Sequence, residues 1–215
     1  MISRRALVWA AGGGLARPAA AALVVPAGGA LAFSMVRRGS EIGRHTLRFE
    51  SNGERLEVHV AIEARVTFFS VQLAHYRLRL IESWQGERLI WLDGRTDKNG
   101  QQNWVRASRT AEGLVVEGSG TARYIAPDDA KPITYWNRHM LDGPMIDAES
   151  GELQRPRVVP RGEETIPLAS GAKIAAEHYN LSNGVHADVW YDRTDTWAGL
   201  AFDLVDGSNL HYERL

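Results

Sequence analysis

Residues 56–66 read Leu56-Glu57-Val58-His59-Val60-Ala61-Ile62-Glu63-Ala64-Arg65-Val66. Every even-numbered position in this stretch is apolar, and the odd-numbered positions are mostly charged or polar. Successive side chains of a β-strand point to opposite faces, so a two-residue period predicts a long strand with one buried and one solvated face. The stretch therefore predicts an all-β fold.

The alternation changes phase shortly after this strand. Apolar residues occupy odd positions over residues 69–73 and even positions over residues 76–80. A slip of one residue is typical of a β-bulge, which bends the strand that contains it. We therefore predict a strongly curved antiparallel sheet rather than a flat one.

Asn-Gly and Asp-Gly pairs recur along the chain, at residues 52–53, 93–94, 99–100, 142–143, 183–184 and 206–207. Asn and Gly adopt the positive φ angles that tight hairpin turns require. Four pairs separate alternating runs and predict hairpins, which join 42–50 to 54–66, 88–96 to 102–109, 174–181 to 185–191, and 197–205 to 209–214. The predicted fold is a strongly curved antiparallel sheet or barrel-like meander of about ten strands.

The alternation fails between residues 127 and 163. Residues 133–141 are predicted to form a short helix or an ordered loop, and residues 144–163 are rich in proline and charge. We interpret 127–163 as one helical or loop insertion, with a single strand near residues 153–159. Long structured connections in compact domains are often functional.

Residues 1–32 have the three parts of a secretory signal: paired arginines, an apolar run rich in alanine and glycine, and small residues at its end. Ala30 and Ala32 suit the shallow pockets of a signal peptidase, so cleavage is predicted between Ala32 and Phe33. An N-terminal signal helix and a single β domain over residues 33–215 follow from this interpretation.

The opening Ser3-Arg4-Arg5 resembles a twin-arginine signal, and both this route and the general export route remain open. The longest charge-free stretch, residues 18–36, contains two prolines and several glycines, whereas a spanning helix needs about 20 mostly apolar residues. We expect a periplasmic protein with no stable transmembrane anchor after processing.

Charge and cysteine content exclude several classes of function. Three of the 25 basic residues lie in residues 1–32, which leaves 22 basic against 26 acidic side chains in the mature part. A mildly acidic domain without a basic run is a poor nucleic-acid binder. The sequence contains no cysteine, which removes thiol nucleophiles, thiolate metal sites and disulfides.

Motifs for catalysis, cofactors and metals are missing. The seven histidines show no metal-ligand spacing, and neither a nucleophile elbow nor a phosphate-binding glycine loop occurs. We expect no metal site and no cofactor, and the sequence favours a non-enzymatic protein over an enzyme. An acid pair such as Glu82 with Asp188 or Asp192 could still meet across a curved sheet and act as glycosidase carboxylates.

Tryptophan is abundant in the mature part, at positions 84, 91, 104, 136, 190 and 197. Tryptophan side chains combine a large apolar ring with a polar N–H group, so they pack in a core or line a ligand pocket. The sequence is compatible with both locations. Three segments place a polar group beside an aromatic ring, and from them the candidate ligand-binding residues are Trp84, Trp136, Asn137, Trp190 and Tyr191.

An ordered set of motifs supports a family resemblance. The set comprises Val36 with Ile42-Gly43-x-His45, Glu82-Ser83-Trp84, Thr96-Asp97-x-Asn99-Gly100, Tyr135-Trp136-Asn137, Trp190-Tyr191-Asp192, and Asp206-Gly207-Ser208-x-Leu210-x-Tyr212. Over nearly all of residues 33–215 the chain resembles a family of exported proteobacterial proteins known only as a domain of unknown function. The resemblance implies an antiparallel, barrel-like β fold and carries no established activity or catalytic residue.

Three hypotheses for function follow. The first is a non-enzymatic binding or carrier protein whose curved sheet holds an amphipathic or lipid-like small molecule. The second is an envelope hydrolase that acts on glycan or ester bonds. The third is a scaffold or assembly partner, which requires an exposed apolar patch instead of a cavity.

Overall fold

The computed structural model describes residues 23–68 and 71–215. In this part of the chain the structure is built from β-strands and one 3₁₀ turn, Arg138–Leu141. The strands are β1 (Ala30–Arg37), β2 (Ser40–Asn52), β3 (Arg55–Phe68), β4 (Val71–Gln85), β5 (Arg88–Lys98), β6 (Gln101–Thr110), β7 (Gly113–Gly118), β8 (Thr121–Ala126), β9 (Lys131–Pro132), β10 (Met145–Ile146), β11 (Leu153–Gln154), β12 (Arg157–Pro167), β13 (Lys173–Ser182), β14 (Ala187–Asp192), β15 (Trp197–Asp203) and β16 (Asn209–Arg214).

Thirteen of these strands form one curved antiparallel sheet, in the order β12-β13-β14-β15-β16-β1-β2-β3-β4-β5-β6-β7-β8. The chain thus makes two meanders, β1–β8 and β12–β16, which join where β16 pairs with β1. The all-β, curved antiparallel fold is confirmed, and the sheet stays open between β12 and β8. The structure has more strands than the ten predicted. One reason is that most residues of β12 are exposed on both faces of the strand, so its sequence does not alternate between apolar and polar residues.

The predicted bulge bends the sheet where β3 pairs with β4. Val66 pairs with Ala74 and Thr67 pairs with Gln72, so one residue of β4 has no partner in the register. The phase change in the sequence falls at the same place. The bulge that this phase change predicts is therefore confirmed.

All four predicted hairpins are present, as β2–β3, β5–β6, β13–β14 and β15–β16. In the β5–β6 turn, Asn99 and Gly100 both adopt positive φ, +55° and +88°. The Asp93-Gly94 pair is different, because it lies inside β5. A Cβ on Gly94 would come within 2.8 Å of Val105 Cγ1 and 3.3 Å of Ala148 O, so this glycine permits close packing rather than a turn.

The insertion covers the inner face of the sheet. It carries the 3₁₀ turn and a small sheet of β9, β10 and β11, and its residues Trp136, Met140, Met145 and Ile146 are buried. A helical or loop insertion is therefore confirmed near the predicted start, but it ends before β12 begins at Arg157.

The predicted signal segment is described only in part. Residues 1–22, the larger part of the predicted signal helix, lie outside the described residues. The predicted cleavage site lies inside β1: Leu31 is 7% exposed, and the N–H of Leu215 donates to Ala32 O over 2.9 Å. Cleavage after Ala32 stays a prediction.

The part of the chain that the structure describes contains no helix that is long and apolar enough to cross a bilayer.

Candidate ligand-binding site

An apolar cavity of about 300 Å³ lies against the inner face of the sheet. Its wall includes the inward-facing residues of the alternating stretch in β3, Ile62, Ala64 and Val66. The other apolar wall residues come from β1, β2, β4, β15, β16 and the turn after β15; they are Met35, Ile42, Ala74, Phe202, Leu204 and Leu210. The pattern that predicts a buried strand face thus also builds a cavity wall.

Polar groups occupy one side of this cavity. His75, Tyr76, Lys98 and Asn99 line it, and Lys98 is exposed. Asn99 is fixed by two bonds to His75: the His75 N–H donates to Asn99 Oδ1 over 2.7 Å, and the Asn99 N–H donates to His75 O over 2.9 Å. The cavity therefore has an apolar interior with a polar rim.

A second cavity of about 290 Å³, the polar chamber, adjoins the first. Ile62, Tyr76, Glu149, Phe202 and Tyr212 line both cavities. The chamber alone is lined by the polar residues His45, Tyr135, Asp147 and His186. The two cavities therefore lie side by side along these residues.

A tight turn of the insertion carries the two carboxylates of the chamber. Asp147 Oδ1 accepts from the N–H groups of Glu149 and Ser150, each over 2.8 Å. Beneath the turn lies Gly118, whose added Cβ would come within 2.1 Å of Ser150 O. The Tyr76 hydroxyl then donates to Glu149 Oε1 over 2.9 Å, so the position of Glu149 is fixed by its backbone and by its side chain.

Three tyrosines that line the chamber have raised pKa values. Burial raises the pKa of Tyr76, and the nearby Glu149 carboxylate raises it further. Burial likewise raises the pKa of Tyr135, with a contribution from Asp147, and that of Tyr212, with contributions from Tyr135 and Glu149. These hydroxyls remain protonated at neutral pH, mainly because burial disfavours the charged form.

His45 lines the chamber from β2. Burial lowers the pKa of its imidazole to about 3, so the ring is neutral at physiological pH. The ring packs edge-on against Trp197 and Tyr212, with centroids 5.1 Å and 5.6 Å away. Both ring nitrogens are buried and have no hydrogen-bond partner among the described residues.

Two of the sequence-predicted ligand residues, Trp84 and Trp136, meet at a buried carboxylate. Their indole N–H groups donate to Glu82 Oε2 over 2.8 Å and 2.9 Å. Burial raises the pKa of Glu82 to about 7, although the hydrogen bonds from Trp136 and Trp84 lower it. The protein therefore satisfies Oε2 of this carboxylate, whereas Oε1 is buried without a hydrogen-bond partner among the described residues.

Asn137 and Tyr191 also make contacts within the protein. Asn137 Oδ1 accepts from the His139 N–H over 2.9 Å and caps the 3₁₀ turn, while its Nδ2 is buried without a partner among the described residues. The Tyr191 hydroxyl donates to Tyr135 O over 2.8 Å.

Trp190 lies on the opposite face of the sheet from Tyr191. Its ring stacks on His178 with centroids 4.7 Å apart, and its N–H donates to Glu164 Oε1 over 2.7 Å. None of the five predicted ligand-binding residues is among the described residues that line either cavity. Their role in binding stays a prediction.

The acid pair considered for a glycosidase does not form. Glu82 is buried on the inner face, whereas Asp188 and Asp192 point to the outer face of β14. There Asp188 bonds to His178, and Asp192 pairs with Arg214 over 2.8 Å. The carboxylates lie on opposite sides of the sheet and cannot flank one substrate bond.

A small acidic group lies on the solvent face of the β2–β3 hairpin. Possible ligand atoms of Glu50, Glu57 and His59 come within 4.8 Å of one another. Glu57 Oε1 lies 2.7 Å from His59 Nε2, so a contact between carboxylate and imidazole accounts for the grouping. The expectation of no metal site stays a prediction.

Sequence reasoning missed the residues of the polar chamber. Its carboxylates, Asp147 and Glu149, lie in a segment whose proline and charge content indicates only a long connection. The one available signal is the spacing of Asp147 and Gly151, which is typical of a turn built on an aspartate side chain. That signal predicts the turn but not its position over the cavity.

Comparisons with known proteins give a family and a fold. The profile of a family described as Domain of unknown function (DUF6134) matches residues 33–215. Among solved structures, the chain is similar to a β-barrel-like protein of domain of unknown function DUF1849 from Brucella abortus, with a TM-score of 0.59 and 11% sequence identity. That similarity covers 86% of this chain and 94% of the other. No curated protein matches the chain.

Proposed function

We propose that this chain, which belongs to the DUF6134 family of domains of unknown function, is a non-enzymatic binding or carrier protein for an amphipathic, lipid-like small molecule. The observation that carries the proposal is the apolar cavity on the inner face of the sheet. We place this activity in the periplasm, on the strength of the signal pattern in residues 1–32.

The chemistry of the cavity wall favours an alkyl chain as the bound group. Ligand sites in proteins are mostly apolar, with a few polar groups that fix orientation, and their volumes are about 300–1,000 Å³. The apolar cavity and the polar chamber lie at the lower end of this range, at about 300 Å³ and 290 Å³. Their size supports a single-chain ligand rather than a bulky one.

Titration with N-phenyl-1-naphthylamine, an uncharged fluorophore that brightens in apolar surroundings, tests the proposal. The Ile42→Trp variant enlarges a half-buried wall residue of the cavity. We expect it to weaken probe binding at least about tenfold, a loss of about 1.4 kcal/mol, because the side chain occupies the space of the probe.

The matched control is Ile81→Trp, which places the same change on the outer face of β4, away from both cavities. This variant should bind the probe as the unmodified protein does. No saturable binding to the unmodified protein, or equal binding by Ile42→Trp, would contradict the proposed function.

A further inference from the structure

The described wall of the polar chamber contains two carboxylates and no lysine or arginine. Asp147 and Glu149 both line it, and no lysine or arginine is among the described residues of its wall. Tyr76 donates one hydrogen bond to Glu149, which leaves the charge of the carboxylate uncompensated. Partly buried carboxylates are stabilised by a nearby cation, and no lysine or arginine of the described wall provides one.

An independent feature of the same wall also indicates a ligand. The His45 side chain is 3% exposed, and neither of its ring nitrogens has a partner among the described residues. A buried polar group without a partner destabilises the fold and calls for an explanation such as a bound water or ligand. Because the ring is neutral, one nitrogen is a free acceptor for an N–H donor.

The tyrosines complete a surface that suits a positive charge. Tyr76, Tyr135 and Tyr212 line the chamber, and the two carboxylates contribute to their raised pKa values. Aromatic walls attract cations through the ring quadrupole, and hydroxyl oxygens accept hydrogen bonds from ammonium groups.

We infer that the bound amphipath carries an ammonium head group, which lies in the polar chamber between Glu149, Asp147 and His45 while the alkyl chain fills the apolar cavity. This inference rests on the proposed binding function and names the class of its ligand. One molecule can contact both spaces, because Tyr76, Glu149 and Tyr212 belong to both walls. The one lysine among the described wall residues of the apolar cavity, Lys98, is exposed and absent from the chamber wall.

The experiment compares three ligands with the same ten-carbon chain: decylammonium, decanol and decanoate. Each is titrated into the protein loaded with the naphthylamine probe at pH 7, below its micelle concentration or, for decanol, below its solubility limit. We expect decylammonium to displace the probe at a concentration about tenfold lower than decanoate, with decanol between them. Replacing Glu149→Gln should reduce the preference for decylammonium over decanol severalfold.

The control variant is Glu152→Gln, which removes a charge from the same turn at an exposed residue outside both cavity walls. It should keep the full preference for decylammonium. Decanol binding serves as the internal check that each variant is folded.

The outcomes separate the inference from the function on which it rests. If decanol and decanoate displace the probe and decylammonium does not, the head-group inference is overturned and the binding function stands. The same holds if Glu149→Gln keeps the full preference. If none of the three displaces the probe, the binding function fails and the inference fails with it.

Discussion

The buried polar residues of this protein have two different roles. Glu82 accepts indole N–H groups from β4 and the insertion at Oε2, and so ties the insertion to the sheet. His45 has unpartnered nitrogens and borders a cavity. Their titrations change the stability of the fold in opposite directions. Because the pKa of His45 is lowered to about 3, the fold loses stability as pH falls below about 6.5. Because the pKa of Glu82 is raised to about 7, the fold loses stability as pH rises from about 4.5 to about 7.

Replacing Glu82→Gln isolates one of these terms. In the unfolded chain the Glu82 carboxyl titrates near 4.5, and in the folded protein near 7, so the folded state retains its proton more strongly between these values. The stability of the unmodified protein relative to the variant should fall by on the order of 3 kcal/mol from pH 4.5 to pH 7 and level off above it. Urea unfolding of both proteins across this range measures the difference, in which the His45 contribution cancels. A difference that stays flat or rises with pH would rule out this assignment.

At the scale of elements, the turn of residues 147–151 determines the position of the polar chamber. The hydrogen bonds that Asp147 Oδ1 accepts within the turn are local. The position of the turn, however, depends on its contact with Gly118 and Gly120 at the β7–β8 turn. The Gly120 N–H donates to Ser150 O over 3.0 Å. Two small residues distant in sequence thus allow the insertion to approach the sheet closely.

Substitution Gly118→Ala should move this turn. The added Cβ would lie 2.1 Å from Ser150 O and 2.9 Å from Trp104 O, both backbone atoms that cannot rotate away. We expect a loss of about 1–3 kcal/mol in the free energy of unfolding, measured in urea, and a reduced preference for decylammonium over decanol.

The comparison variant is Gly199→Ala in β15. Its added Cβ would lie 3.2 Å from the flexible end of Ile166, which can shift. A loss in Gly118→Ala no larger than that in Gly199→Ala would show that the close approach is not required.

Local signals explain which elements the sequence predicts well. The β2–β3 and β5–β6 hairpins follow from alternation and Asn-Gly turns, both of which are encoded in neighbouring residues. The fold of the insertion does not follow, because Trp136 is positioned by Glu82, 54 residues earlier. The same limit applies to the site: aromatic-polar neighbours drew attention to Trp84 and Trp136, whereas the cavity depends on residues that only the folded sheet brings together.

For the whole molecule, the pairing of β1 with β16 is decisive. It joins the two meanders, so that Met35 and Ile62 from the first and Phe202 and Leu210 from the second line the same apolar cavity. No local pattern encodes this contact between the first and last strands. The sequence therefore predicts a curved all-β sheet but not the cavity that its two halves enclose.

A crystal structure of the protein with 10-bromodecanol tests the existence of the binding site most directly. We predict an anomalous bromine peak inside the apolar cavity, in contact with Met35, Ile62 or Leu210. Bromine peaks confined to the outer surface of the sheet, or an empty cavity at saturating ligand, would contradict it.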